Sequence, residues 1–222
     1  IKNIILVSPY NSLPILLKGI IKLKHKDIKY ELPIITWTCF LALGKEYHET
    51  LPNEFEPGKM AVICHTGGST GFPNGVMLSN ENCNALIYQL LYTNYGFKRQ
   101  QTFLDILPPF IALGLINAMH LALCAGIQSI LIPSFEPEDI PRLIMKHRPN
   151  IFMGGPIHFN MMLHDQKMQK ANLSHLEICC AGGDKMPCEA QKEIQRFLEE
   201  HQSKANIWIG YGATETSAGT AC

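Results

Sequence analysis

The sequence lacks an excess of either charge, a C-x-x-C pair and any lysine between Lys59 and Lys98. Nineteen Lys and Arg balance nineteen Asp and Glu, so there is no whole-chain electrostatic footprint for nucleic acid. The eight cysteines (39, 64, 83, 124, 179, 180, 188 and 222) mostly lie in apolar runs. That pattern fits reduced, buried thiols in the cytoplasm better than a disulfide framework or a zinc site. No signal peptide is expected from these residues: the chain opens at Ile1 inside the strand-like run "IKNIILVS" without an initiator methionine, which reads as a portion of something longer. One stretch, 110–133, is long enough to span a bilayer and carries no formal charge, but it contains Asn117, His120 and Gln128 besides Gly114 and Gly126. A buried helix over about 112–124, a glycine C-cap and a buried strand over about 127–132 explain it with fewer unsatisfied polar groups, so no transmembrane segment is expected.

What is present is ordinary globular material: 222 residues, 46% hydrophobic and 17% charged, enough to bury a sizeable core. From residue 127 onward strands and helices alternate: "IQSILI", helix 137–147, "NIFMG", helix 157–170, "LEICCA", helix 187–201, "NIWIG". Such alternation predicts an α/β fold, a mostly parallel sheet with flanking helices. Pro137 and Pro187 sit near helix starts, with Glu138, Asp139 and Glu189 where the helix dipole favours acids. Earlier, a strand over 4–8 leads to a helix over about 12–25 whose leucine and isoleucine stripe faces four lysines. A solvated helix face explains those lysines, and a membrane-surface helix would show the same pattern. After the glycine-rich stretch, "GVML" reads as a strand and Ser79 or Asn80 as the cap of a helix to about Tyr92. No linker or repeat divides the chain, which reads as one domain over 1–222.

The segment "HTGGSTGFPNG", 65–75, is the most unusual. Glycines let a backbone approach a ligand, and hydroxyls with exposed amides cradle phosphate oxygens. Neither common phosphate fingerprint is matched: no glycines stand five apart before a lysine, and Gly67, Gly68, Gly71 and Gly75 do not fit G-x-G-x-x-G. The carboxyl ends of the predicted strands, where open parallel sheets bind ligands, read "MGGP", "AGGDKMP" and "GYGATETSAG". Together they describe a pocket for a nucleotide, with one carboxylate, Glu215, for a cation on its phosphates.

Four segments, in order, resemble motifs of the adenylate-forming superfamily. Residues 67–76, G-G-S-T-G-F-P-N-G-V, resemble its Ser-Gly-Thr-Thr-Gly-x-Pro-Lys-Gly loop. "LPPF" (107–110) resembles its aromatic motif, "AGGDKMP" its Gly-Gly-Ala-Pro-Leu segment and "GYGATE" its Tyr-Gly-x-Thr-Glu motif. The resemblance implies part of the N-terminal domain of an acid-CoA ligase, without its C-terminal domain. The implied chemistry uses ATP and Mg²⁺ to convert a small-molecule carboxylic acid to an acyl-adenylate, with CoA as acceptor. An amino-acid-activating domain and a non-catalytic nucleotide-binding relative stand as alternatives.

Carried over by position, the resemblance implies that Thr66, Gly67, Gly68, Ser69, Thr70, Gly71 and Asn74 surround the ATP phosphates. Gly182, Gly183 and Asp184 would lie along the adenine, and Tyr211 and Gly212 would line the nucleotide. Thr214 at the α-phosphate and Glu215 on Mg²⁺ would form the catalytic pair. Four positions depart from the pattern. Asp184 replaces a small residue beside the adenine. Asn74 stands where the family has lysine, Gly67 where it has serine, and Ile111 where acyl-activating members carry histidine and amino-acid-activating members aspartate. The acid is therefore expected to lack an amine, with its pocket sized by residues from 105–130 and 153–164. The family's ribose aspartate and mobile C-terminal lysine have no counterpart up to Cys222, so this chain alone is expected to be inactive.

Overall fold

The computed structural model describes residues 4–7, 34–50, 54–66 and 73–221. They fall into two compact units, Ile1–Phe55 and Glu56–Cys222. In the first, β1 (Ile4–Leu6) pairs in parallel with β2 (Ile34–Thr36), which runs directly into α1 (Trp37–Gly44). The Thr36 hydroxyl caps that helix by accepting from the Cys39 amide at 3.3 Å. The helix expected over 12–25 lies outside the described residues.

The second unit begins with an antiparallel hairpin, β3 (Met60–His65) and β4 (Gly75–Ser79), whose register places His65 opposite Gly75. Ser79 then starts α2 (Asn80–Tyr92) as expected: its hydroxyl accepts from the Asn82 amide, and the Asn82 side chain accepts from the Ser79 amide. The body of the unit is a five-stranded parallel sheet in the order β6-β5-β7-β8-β9. The strands are β5 (Thr102–Asp105), β6 (Gln128–Leu131), β7 (Ile151–Gly154), β8 (Ile178–Ala181) and β9 (Ile207–Ile209). Between β5 and β6 a wide π-type helix (Leu113–His120) continues into α3 (Leu121–Ala125), and Gly126 closes it in the left-handed conformation at φ 66°. The apolar 110–133 stretch is thus a helix and a strand of the sheet. No helix among the described residues is long and apolar enough to cross a membrane.

Side chains alternate across the sheet, and each face has its own cover. Leu104, Phe152, Cys179 and Ile207 point into one core with α4 (Ile140–His147), α5 (Pro156–His164) and α6 (Cys188–Glu200). On the opposite face Phe103, Ile151, Met153 and Ile178 pack with α2 and the π-type helix. A period of two in the strands against helical periodicity in the cover makes these two layers separable.

Some expectations need correction. β6 was expected to be buried, but it is the sheet's edge, so Gln128 and Leu131 are exposed. The helix expected over 157–170 ends at His164, because the Asp165 carboxylate takes the amides of Lys167 (2.9 Å) and Met168 (2.8 Å) and starts a separate short turn. No disulfide joins the cysteines among the described residues, but only Cys64 and Cys179 are buried, while Cys39, Cys124 and Cys188 are exposed. An apolar neighbourhood in sequence does not fix which way a thiol faces.

Candidate functional site

The carboxyl ends of β7, β8 and β9 converge at one end of the sheet, and each carries glycine where backbone approaches backbone. The Gly182 amide donates to the Gly154 carbonyl (3.0 Å), and the Gly210 amide to that of Ala181 (2.7 Å). Gly183 is left-handed at φ 81°. At β7 the Gly155 amide donates to His158 Nδ1 at 2.9 Å. Burial holds the His158 pKa below its ordinary value, which keeps the neutral ring this acceptor role requires.

Past β9 the chain forms a second hairpin, β10 (Tyr211–Ala213) and β11 (Ala218–Ala221), joined by a single turn at Thr214–Thr216. The turn is held by Thr216, whose hydroxyl donates to the Ala213 carbonyl at 3.0 Å and meets Thr220 at 2.8 Å. Ser217 and Ala218 adopt positive φ, 64° and 98°, a costly conformation for residues with a Cβ and one that concentrates at ligand sites. Gly212 is forced by packing: a Cβ there would overlap the Ala218 carbonyl oxygen.

These ends open into a cavity of about 550 Å³. Its upper walls are backbone-rich, with Gly182, Gly183, Gly210, Gly212 and Thr214 and the exposed residue Tyr211. Its lower part runs down the sheet face past Cys180 and Ile178, beneath α2 (Leu86, Gln89, Leu90) and the π-type helix (Leu113, Asn117). Among the described residues lining it there is no lysine, arginine, aspartate or glutamate; His65, at the end of β3, is the one titratable nitrogen base. Asn117 is buried in this wall with its amide oxygen unpartnered among the described residues. π-type segments are uncommon and often accompany ligand sites; this one brings Leu113 and Asn117 to the same cavity.

The structure sorts the anticipated site residues into four groups. Gly182, Gly183, Tyr211, Gly212 and Thr214 line the cavity together, and Ile111 is also among its lining residues. Thr66 and Asn74 close the base of the glycine loop, the Thr66 amide donating to the Asn74 carbonyl at 2.9 Å. Gly67, Gly68, Ser69, Thr70 and Gly71 lie outside the described residues. Asp184 and Glu215 are exposed and not among the lining residues; Asp184 accepts from the Lys185 amide at 2.7 Å, and Glu215 shares the turn of Thr214. The stretch 157–164, expected to size the pocket, belongs to α5 on the other face of the sheet, so only Met153 and Gly154 of that region reach the cavity. The sequence reading missed Gln89, Thr93, Tyr95, Phe97 and Trp208. The alternation that turns Trp208, Cys180 and Ile178 to one face was a usable signal, but which helix covers that face depends on tertiary packing.

The sequence model of the AMP-binding enzyme family matches residues 14–222. A long-chain-fatty-acid–CoA ligase of Bacillus subtilis is 29% identical over 194 residues, covering 87% of this chain and 34% of the relative. Among solved structures, ATP-bound MatB from Rhodopseudomonas palustris superposes with a TM-score of 0.73 at 20% identity, over 100% of this chain and 42% of that one. McyG A-PCP complexed with phenylalanyl-adenylate gives a TM-score of 0.70 at 22% identity, over 84% and 30%. The chain therefore spans about a third of the length of the curated relative it matches.

Proposed function

The chain belongs to the AMP-binding enzyme family, and from that premise we propose that the whole protein uses ATP to activate a carboxylic acid as an acyl-adenylate and then transfers the acyl group to CoA. The supporting observation is a single cavity in which the glycine-rich strand ends continue into an apolar channel, so one volume offers a planar polar ligand and an apolar acid adjoining seats. Gly182, Gly183 and Gly212 present flat backbone to a purine, and Tyr211 offers a ring at the rim. Thr214 would donate its hydroxyl to the α-phosphate, with Thr66, the 67–71 loop and Asn74 at the outer phosphates. In the reaction a carboxylate oxygen bonds to the α-phosphorus as the bond to pyrophosphate breaks. The apolar channel keeps water from the resulting mixed anhydride.

Glu215 fits magnesium: it is exposed, has no ion pair among the described residues, and leaves room for the waters and phosphate oxygens that complete such a shell. Bound there, the ion supplies positive charge that screens the approach of one anion to another. Asn74 stands where the family's loop carries lysine, so the loop would add no cation of its own to that screening. With no Asp or Glu among the lining residues described, the channel offers no partner for an α-ammonium, which favours fatty or aryl acids over amino acids. The thiols, joined by no disulfide among the described residues, suit a reducing compartment such as the cytoplasm.

Pyrophosphate exchange by the protein at its full natural length, with fatty, aryl and amino acids compared, tests this function. Exchange stimulated best by a fatty or aryl acid is expected. Stimulation best by an amino acid would overturn the substrate class, and none with any acid would favour a non-catalytic nucleotide binder.

A further inference from the structure

The apolar channel ends on an aromatic floor with a second cavity behind it. Tyr95 packs edge-on against Trp208, ring centroids 4.8 Å apart, and against Phe97 at 6.1 Å. Tyr95 and Ile178 line both the channel and a second cavity of about 520 Å³. The character changes across that floor: behind it stand Ser174, Gln202, Lys204 and the pair Lys98 and Glu177, 3.8 Å apart. This cavity lies at the opposite end of the sheet from the nucleotide seat, because Ile178 opens β8 and Gly182 follows its last residue.

The strand itself measures the channel. Four residues from 178 to 182, at about 3.3 Å each, set the floor about 13 Å below the glycine end. A fully extended alkyl chain of ~1.5 Å bonds at tetrahedral angles advances about 1.25 Å per bond, so about ten bonds span the distance from the level of Gly182 to Tyr95. A longer tail would have to displace an aromatic ring braced by a second ring, then enter a space walled by charges and amides that gain nothing from methylenes.

Building on the carboxylic-acid reading above, we propose that Tyr95, braced by Trp208, is the specificity-determining residue that sets the longest straight acid tail the channel accepts. Up to the floor, each added methylene leaves water and tightens binding about fourfold; beyond it the gain stops. Tyr95→Ala or Tyr95→Leu removes the floor and moves that break to longer acids, while the slope for short acids stays the same. Tyr95→Phe keeps the ring and keeps the break.

The test is calorimetry on the full chain in the presence of AMP, along a ladder of straight saturated acids from hexanoic to stearic, for the native protein and the three variants. Melting curves identify folded variants, and Tyr95→Leu serves if Tyr95→Ala does not fold. The expected result is a break near decanoic to dodecanoic acid in the native protein and in Tyr95→Phe, displaced to longer acids in the opened variant. Affinity rising without a break to stearic acid, or a break unmoved by opening Tyr95, would overturn the proposal while leaving the acid-activation reading intact. Failure of every acid to bind would overturn both.

Discussion

Gly212→Ala is the perturbation whose consequence the structure fixes most tightly. A Cβ at 212 would overlap the Ala218 carbonyl oxygen and lie 3.0 Å from the Gly219 Cα. Both neighbours are backbone of β11, held in register by the Gly212–Gly219 and Ala213–Ala218 pairs, so neither can swing aside like a flexible side chain. Carbon contacts settle near 3.5–4.0 Å, so relief requires β10 and β11 to part, and overpacking of this kind costs about 1–3 kcal/mol. For a chain of this size that lowers Tm by roughly 2–4 °C per kcal/mol. The larger effect should be functional, because Ala213 and Thr214 follow directly and line the cavity. AMP affinity should fall at least about tenfold, the equivalent of about 1.4 kcal/mol. Thermal melting and calorimetry with AMP read the two quantities separately. An unchanged Tm with unchanged AMP affinity would show that the hairpin accommodates a methyl group and does not shape the nucleotide seat.

Three further outcomes follow from single residues. Glu215→Gln should leave Tm nearly unchanged, since the residue is exposed, while weakening Mg²⁺-dependent turnover; a large fall in Tm with the metal response intact would make it structural. Asp105 is buried, and desolvation holds its carboxyl above the ordinary value of 3.8 despite bonds from the Leu107 amide and Ser129. The folded state therefore binds the extra proton and stability falls as pH rises from 3.8 through the raised pKa, so Asp105→Asn should raise Tm at neutral pH and flatten that slope in pH-dependent melts. Asn117→Leu removes a buried amide whose oxygen has no partner among the described residues and should stabilise the protein by about 1–2 kcal/mol in urea unfolding; destabilisation would show the amide to be satisfied in solution.

The fold from residue 127 onward was legible because strand and helix periods differ, and because Pro137, Ser79 and Gly126 act locally, through a fixed φ, a capping hydroxyl and a left-handed turn. Boundaries failed where a side chain competed for backbone amides, as Asp165 does. The glycine-bearing end of the site was legible for a similar reason: Gly212 leaves no room for a Cβ, Gly183 takes a left-handed φ and Gly182 lies close to the Gly210 carbonyl, and a sequence displays such constraints directly as glycine. The channel was not. Its walls join α2, the π-type helix and one face of three strands, and Leu86, Tyr95, Ile178 and Trp208 become neighbours only through packing between segments far apart in the chain.

The central claim is that nucleotide and acid occupy adjoining parts of one cavity. The most direct measurement is calorimetric affinity for a non-hydrolysable acyl-sulfamoyl adenosine carrying a decanoyl chain, compared with AMP alone and decanoic acid alone. If the seats are continuous, the linked ligand gains from the second site as an intramolecular event and binds about 10²–10⁴-fold tighter than either part. Affinity no better than that of AMP would contradict the account, because it would place the acid outside the channel that runs from Gly182 to Tyr95.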